Sequence, residues 1–127
     1  MLLDTQVWLW MLAAPERLAP SSRRLVTSAD TELLLSAASA WEIAIKYAIG
    51  KLPLPSEPAA LVPGWMDRTA VMPLAVLHRH ALHVASLPPH HRDPFDRLLV
   101  AQAQLEGLPI LTADGSFARY DVEVVAA

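Results

Sequence analysis

Four carboxylates are spread along the chain at Asp4, Glu42, Asp96 and Asp114. Asp4 closes the apolar run Leu2-Leu3-Asp4, and Asp114 stands two residues past Pro109-Ile110-Leu111-Thr112; both runs read as short buried strands. Glu42 falls one turn into the helix after a second strand, Glu32-Leu33-Leu34-Leu35-Ser36. Asp96 falls one turn into the helix before the Pro109–Thr112 strand. Ligands of open α/β sheets bind just beyond the carboxyl ends of the strands, so these four side chains can meet at one edge. Four carboxylates at close range repel and raise one another's pKa; a divalent cation removes that repulsion. Oxygen ligands without His or Cys favour Mg2+ or Mn2+ over Zn2+. Such a site serves phosphate chemistry: a bound water becomes hydroxide, the phosphate is neutralised, and no Ser or Cys nucleophile is needed.

Each acid also has a local reading. Asp4 can cap a helix that starts at Thr5. Ser39-Ala40-Trp41-Glu42 has the spacing of a capping box, with Glu42 reaching back to the Ser39 amide. Asp93-Pro94-Phe95-Asp96 repeats that spacing with Pro at the first helical position. Asp114-Gly115 reads as a turn. These roles are compatible with cation binding.

The elements that must position the acids follow from periodicity and punctuation. Thr5 to Leu12 reads as a helix that is apolar on every side from Val7 onward, which requires burial on more than one face. Ser21 to Ala29 reads as a helix with Arg23 and Arg24 outward. Ser39 to Ile49 is the next helix, closed by Gly50. After Pro53, Pro55 and Pro58 come a helix over Ala59–Arg68 and a marginal strand over Val71–Leu74, where Pro73 restricts pairing. Val76 to Leu87 reads as a helix carrying His78, His80 and His83 on its surface. Asp93-Pro94 opens a helix through Glu106 that ends at Gly107, and Val122–Val125 is a last strand. Strands alternating with helices predict an α/β fold with a mainly parallel central sheet flanked by helices on both faces.

Composition narrows the field. The chain has 127 residues, 54% of them apolar, which suits one domain over 1–127 and excludes disorder as the main state. The longest uncharged stretch near the start, Thr5 to Pro15, is well short of a membrane span. With no Cys, disulfides, thiolate nucleophiles and thiolate metal sites are excluded. Absence of Cys, and Asp4 where a secretion leader would carry Lys or Arg, read as a cytoplasmic protein. A net charge of −3 argues against holding nucleic acid by bulk positive charge, although with four carboxylates under metal the rest of the chain is slightly positive.

In order and spacing, four segments resemble PIN-domain proteins of the VapC toxin type. They are Leu2-Leu3-Asp4-Thr5-Gln6-Val7-Trp8-Leu9-Trp10, Ser36 to Lys46 around Trp41-Glu42, Leu87-Pro88-Pro89-His90-His91-Arg92-Asp93-Pro94-Phe95-Asp96-Arg97 continuing to Ala103, and Leu111-Thr112-Ala113-Asp114. The resemblance implies a PIN-like fold and a Mg2+- or Mn2+-dependent endoribonuclease toxin. It places the family's acidic quartet on Asp4, Glu42, Asp96 and Asp114, and the family's hydroxyl residue on Thr112. Asp93 is an additional acid that either touches metal or only caps. The resemblance also implies a homodimer, an RNA substrate and a cognate antitoxin whose C-terminal segment lies across the toxin. Trp8, Trp10 and Met11 are candidates for antitoxin or dimer contact, or plain core.

Arg92, Arg97 and Lys46 are candidate RNA contacts, with surface ion pairs as the alternative for Lys46 and Arg97. His91 is a further candidate to orient Asp96 or to bind RNA, with no sequence signal that selects either role. The histidines also invite a zinc site, but only Asp93 is at hand as an oxygen ligand. A dehalogenase-like phosphatase needs an Asp where Gln6 stands, and a receiver domain needs clustered acids after the first strand. The remaining alternative is a PIN-like metal- or RNA-binding module without catalytic activity.

Overall fold

Leu2 and Leu3 pack on opposite faces of the sheet they help to form, and the same holds for Ile110 and Leu111. In a strand successive side chains alternate sides, so two adjacent buried apolar residues require cover on both faces. A computed structural model, describing residues 1–127, has this arrangement. Its strands are β1 (Leu2–Leu3), β2 (Leu33–Ser36), β3 (Val71–Leu74), β4 (Ile110–Thr112) and β5 (Val124–Ala126). Its helices are α1 (Thr5–Ala13), α2 (Pro20–Thr27), α3 (Ala37–Ala48), α4 (Pro58–Arg68), α5 (His78–His83) and α6 (Pro94–Glu106).

All neighbouring strands pair in parallel, in the order β3-β2-β1-β4-β5. Leu2 sits opposite Leu34 on one side and Ile110 on the other. The chain builds outward from β1 through β2 to β3, then crosses back to lay β4 on the other flank of β1. The gap between β1 and β4 is therefore the point where strand order reverses, which is where α/β sheets leave a crevice. Pro73 is tolerated because β3 is an edge strand. One core gathers Leu3, Val7, Trp8, Ile43 and Leu111; the other gathers Leu2, Leu99, Val100, Ile110 and Phe117.

Three expectations about local structure are corrected. The α3 N-cap is Ser36, whose hydroxyl accepts from the Ala38 amide at 3.0 Å. Ser39 lies inside the helix, and its hydroxyl accepts from Thr5 Oγ1 at 2.8 Å, tying α3 to α1. The helix starts directly from β2 with no intervening loop, so the earlier of two serines three residues apart takes the cap. Glu42 is thereby a turn deeper in the helix than a capping box would put it.

Second, the helix through the histidines is shorter than the sequence reading, and His80 is fully buried. His80 Nδ1 accepts from the Leu77 amide at 2.9 Å, and Nε2 meets Glu106 at 2.8 Å. A buried imidazole satisfied at both nitrogens has no lone pair for zinc. Third, Trp8 is core, with its Nε1 donating to Thr69 Oγ1 at 3.2 Å, and so offers nothing to a partner. Trp10 and Met11 are half-buried. The α6 reading stands: Asp93 caps through Oδ1, accepting from the amides of Phe95 at 2.8 Å and Asp96 at 3.3 Å. Gly107 follows with φ 65, the left-handed conformation that a C-terminal glycine adopts without strain.

Candidate metal centre

At the carboxyl ends of β1 and β4 a cleft of about 380 Å³ is lined by Asp4, Glu42, Asp93, Asp96 and Asp114, with Lys46 and Lys51 beside them. Asp4 reaches it because it ends β1, and it is fixed there by Thr112 Oγ1, which donates to Asp4 Oδ2 at 2.7 Å. Thr112 Oγ1 also accepts from the Asp114 amide at 3.0 Å, so one hydroxyl of β4 spans two of the acids. Glu42 is buried on α3 and pairs with Lys46 Nζ at 2.6 Å. Asp96 sits in the first turn of α6.

Burial, charge crowding and hydrogen bonding together set the proton affinities of these acids. Asp96 is pushed up to about 7, first by burial and then by the carboxylates of Asp93, Asp4, Glu42 and Asp114. Burial likewise raises Asp4, against the Thr112 hydrogen bond that lowers it; Glu42 and Asp114 add to the rise. Asp114 goes the other way, held below the usual carboxylate range by the hydroxyl and amide of Ser116 and, less strongly, by His91. Interaction with Glu42 raises Lys46, and Asp93 and Asp96 contribute.

The closest grouping of ligand atoms differs from the sequence expectation of one quartet around one ion. His91, Asp96 and Asp114 each offer an atom within 4.8 Å of the others. Asp4 and Glu42 line the same cleft but are drawn toward Thr112 and Lys46.

A family model described as the PIN domain matches residues 1–123. The chain belongs to the PIN-domain family. A 62-residue stretch is 50% identical to ribonuclease VapC16 of Mycobacterium tuberculosis, spanning 49% of this chain and 44% of that relative. Among solved structures, VapBC2 from Rickettsia felis bound to a DNA fragment from their promoter aligns over 98% of this chain and 96% of its own. The TM-score is 0.73 and the identity 12%. DNA-bound VapBC from Salmonella typhimurium aligns over the same shares with a TM-score of 0.70 and 18% identity. At these identities the structural likeness is one of fold and bears out the α/β architecture, while the family match bears out the PIN resemblance read from the sequence.

Within the PIN fold, the candidate RNA-contacting residues divide. Arg97 is taken up by three backbone carbonyls, Pro88 at 2.8 Å, Val84 at 3.1 Å and Leu87 at 3.3 Å, and so fastens the connection from α5 to α6. Neither a phosphate contact nor a surface ion pair describes it. Arg92 is exposed. Lys46 is paired with an acid, the alternative weighed for it. Sequence reasoning missed Lys51, which lines the cleft from beyond the end of α3. The positive-φ Gly50 turns the chain there, and that turn was the available signal. It also missed Ser116, two residues after Asp114, a spacing that permits the Asx-type hydrogen bond observed at 2.9 Å.

Proposed function

We propose that this chain is a metal-dependent endoribonuclease acting as the toxin of a toxin–antitoxin pair. The carrying observation is the convergence of Asp4, Glu42, Asp96 and Asp114 on one cleft at the switch point of a PIN-family sheet. The donor set fits a hard divalent cation, because it is all carboxylate oxygen, and burial together with the neighbouring acids pushes Asp96 up to about 7. In this reading those four residues hold Mg2+ or Mn2+, which supplies a water ionised near neutral pH and neutralises charge on the scissile phosphate. Thr112 keeps Asp4 aimed into the cleft, and Asp93 organises the α6 N-terminus that presents Asp96. In this reading Lys46 and Lys51 at the cleft, and exposed Arg92, are the candidate phosphate contacts. Glu42 would hold the cation in place of Lys46, whose ammonium would then be available to a phosphate.

Ribonuclease function in the 50%-identical relative supports RNA as substrate, and the VapBC complexes among the fold's neighbours support an antitoxin partner. Trp10 lines an apolar groove of about 440 Å³ between α1 and α4 that suits a segment of that partner. No helix is long and apolar enough to cross a membrane.

The test is incubation of the purified chain, and of Asp96→Asn, with total RNA, followed by mapping of the cut ends. Cleavage is expected with Mg2+ or Mn2+, none with chelator, and a loss of at least about 100-fold in the variant. Cleavage in chelator, or a fully active variant, would refute the proposal.

A further inference from the structure

His91 stands outside the acidic quartet, beside Asp114 and Asp96 at the edge of the cleft, and its side chain is held on several sides. Its imidazole is only 8% exposed. It stacks on Tyr120 with ring centres 5.3 Å apart and rests at 4.9 Å against Phe117, both of them core residues. The Tyr120 hydroxyl accepts the His91 amide at 2.9 Å and lies 3.2 Å from Nδ1, so backbone and ring are fixed by one group. The opposite nitrogen, Nε2, faces the acids: Asp114 Oδ2 is at 3.3 Å and Ser116 Oγ at 3.0 Å.

We propose that His91 is a nitrogen ligand of the cation in this cleft, forming with Asp96 and Asp114 a mixed site that takes Mn2+ in preference to Mg2+. The proposal rests on the cation reading given above. Three features carry it. Ligand atoms of the three residues already lie within 4.8 Å of one another. Neighbouring ligands about 2.1 Å from an octahedral ion stand about 3 Å apart, close to the Nε2–Oδ2 separation observed. A metal-binding histidine donates its other ring N–H to a supporting acceptor, and the Tyr120 hydroxyl occupies that position. The aromatic shelf fixes the ring before any ion arrives, which an imidazole that only met solvent would not need. Mg2+ selects all-oxygen shells, whereas adding an imidazole shifts preference toward transition ions.

The experiment is pulsed electron paramagnetic resonance on the full chain loaded with Mn2+ alone, joined to titrations of Mn2+ and Mg2+. The wild-type chain is expected to show nitrogen-14 modulation from a bound imidazole, retained in His90→Ala and lost in His91→Ala. The Mn2+ dissociation constant is expected to rise tenfold or more in His91→Ala, with a smaller change for Mg2+. His91→Asn, which keeps a polar group beside Tyr120, serves if the alanine variant does not fold, and the wild-type spectrum tests nitrogen ligation without any variant. Bound Mn2+ without nitrogen modulation, or modulation that survives in both His91 variants, overturns the assignment of His91 and leaves the carboxylate site standing. Failure of the wild-type chain to bind Mn2+ at all overturns the cation reading itself.

Discussion

Thr112 Oγ1 donates to Asp4 Oδ2 at 2.7 Å, joining two residues 108 positions apart in the chain. The bond crosses from β4 to β1 at the reversal of strand order, and it lowers the pKa of an acid that burial raises. Replacing Thr112 by Val keeps shape and removes the donor. The buried carboxylate then loses its partner, at a cost of about 1–3 kcal/mol. Thr112→Val is expected to lower the unfolding free energy measured in urea by that amount and to move the acid limb of Mn2+ binding to higher pH, while Thr112→Ser stays near wild type. An unchanged binding profile in Thr112→Val would mean that the hydroxyl does not tune Asp4.

Asp96 makes metal-free stability depend on pH, with a sign that can be worked out. Its folded-state pKa is raised to about 7, so the folded chain holds this proton more tightly than the unfolded chain does. Stability is therefore lost as pH rises from the unfolded value near 4 to about 7. Asp96→Asn removes the penalty. Discounted for the carboxyl's partial exposure, the gain is about 1–2 kcal/mol, a few degrees in Tm, at pH 8 in chelator. It shrinks toward zero as the pH is lowered to 4. Thermal melts across that range check it; equal destabilisation at every pH would instead mark Asp96 as a structural residue of the helix start.

Ser36 takes the capping role that spacing assigns to Ser39. Ser36→Ala is expected to destabilise the fold by about 1 kcal/mol through loss of the α3 cap. Ser39→Ala removes a buried acceptor for Thr5 Oγ1, and Thr5→Val should cancel much of that effect because both partners are then apolar. A double-mutant cycle in urea measures the coupling, and strict additivity would exclude it.

In the proposed site, Lys46 would compete with a cation for Glu42. Its side chain is 47% exposed, so the pair is worth about 0.2–1 kcal/mol. Lys46→Gln is expected to tighten Mn2+ binding about two- to fivefold and to weaken RNA binding in the same protein. Isothermal titration with Mn2+ and a filter-binding assay with RNA read the two effects separately; weaker Mn2+ binding would show that Lys46 supports the site rather than opposing it.

The α/β alternation, the parallel sheet and the positions of the four acids were legible because apolar runs, prolines and terminal glycines report local geometry directly. Asp93-Pro94 and Gly107 bracket α6 as capping chemistry requires. What sequence could not reach was anything decided by which elements lie side by side. Two serines in one motif both suit a cap, and only the abrupt passage from β2 into α3 selects Ser36. His80 looks like a surface histidine until Glu106 and the Leu77 amide close around it. Arg97 looks free until the carbonyls of the preceding connection converge on its guanidinium.

By itself, then, the order of residues determined a two-faced parallel sheet with acids at its strand ends, because side-chain period and turn chemistry act over a few residues. Only the tertiary structure decided that β4 returns beside β1, that His91 joins Asp96 and Asp114 on an aromatic shelf, and that Trp8 is sealed in the core. Those outcomes depend on burial and on charges far apart in the chain, which spacing along the sequence does not encode.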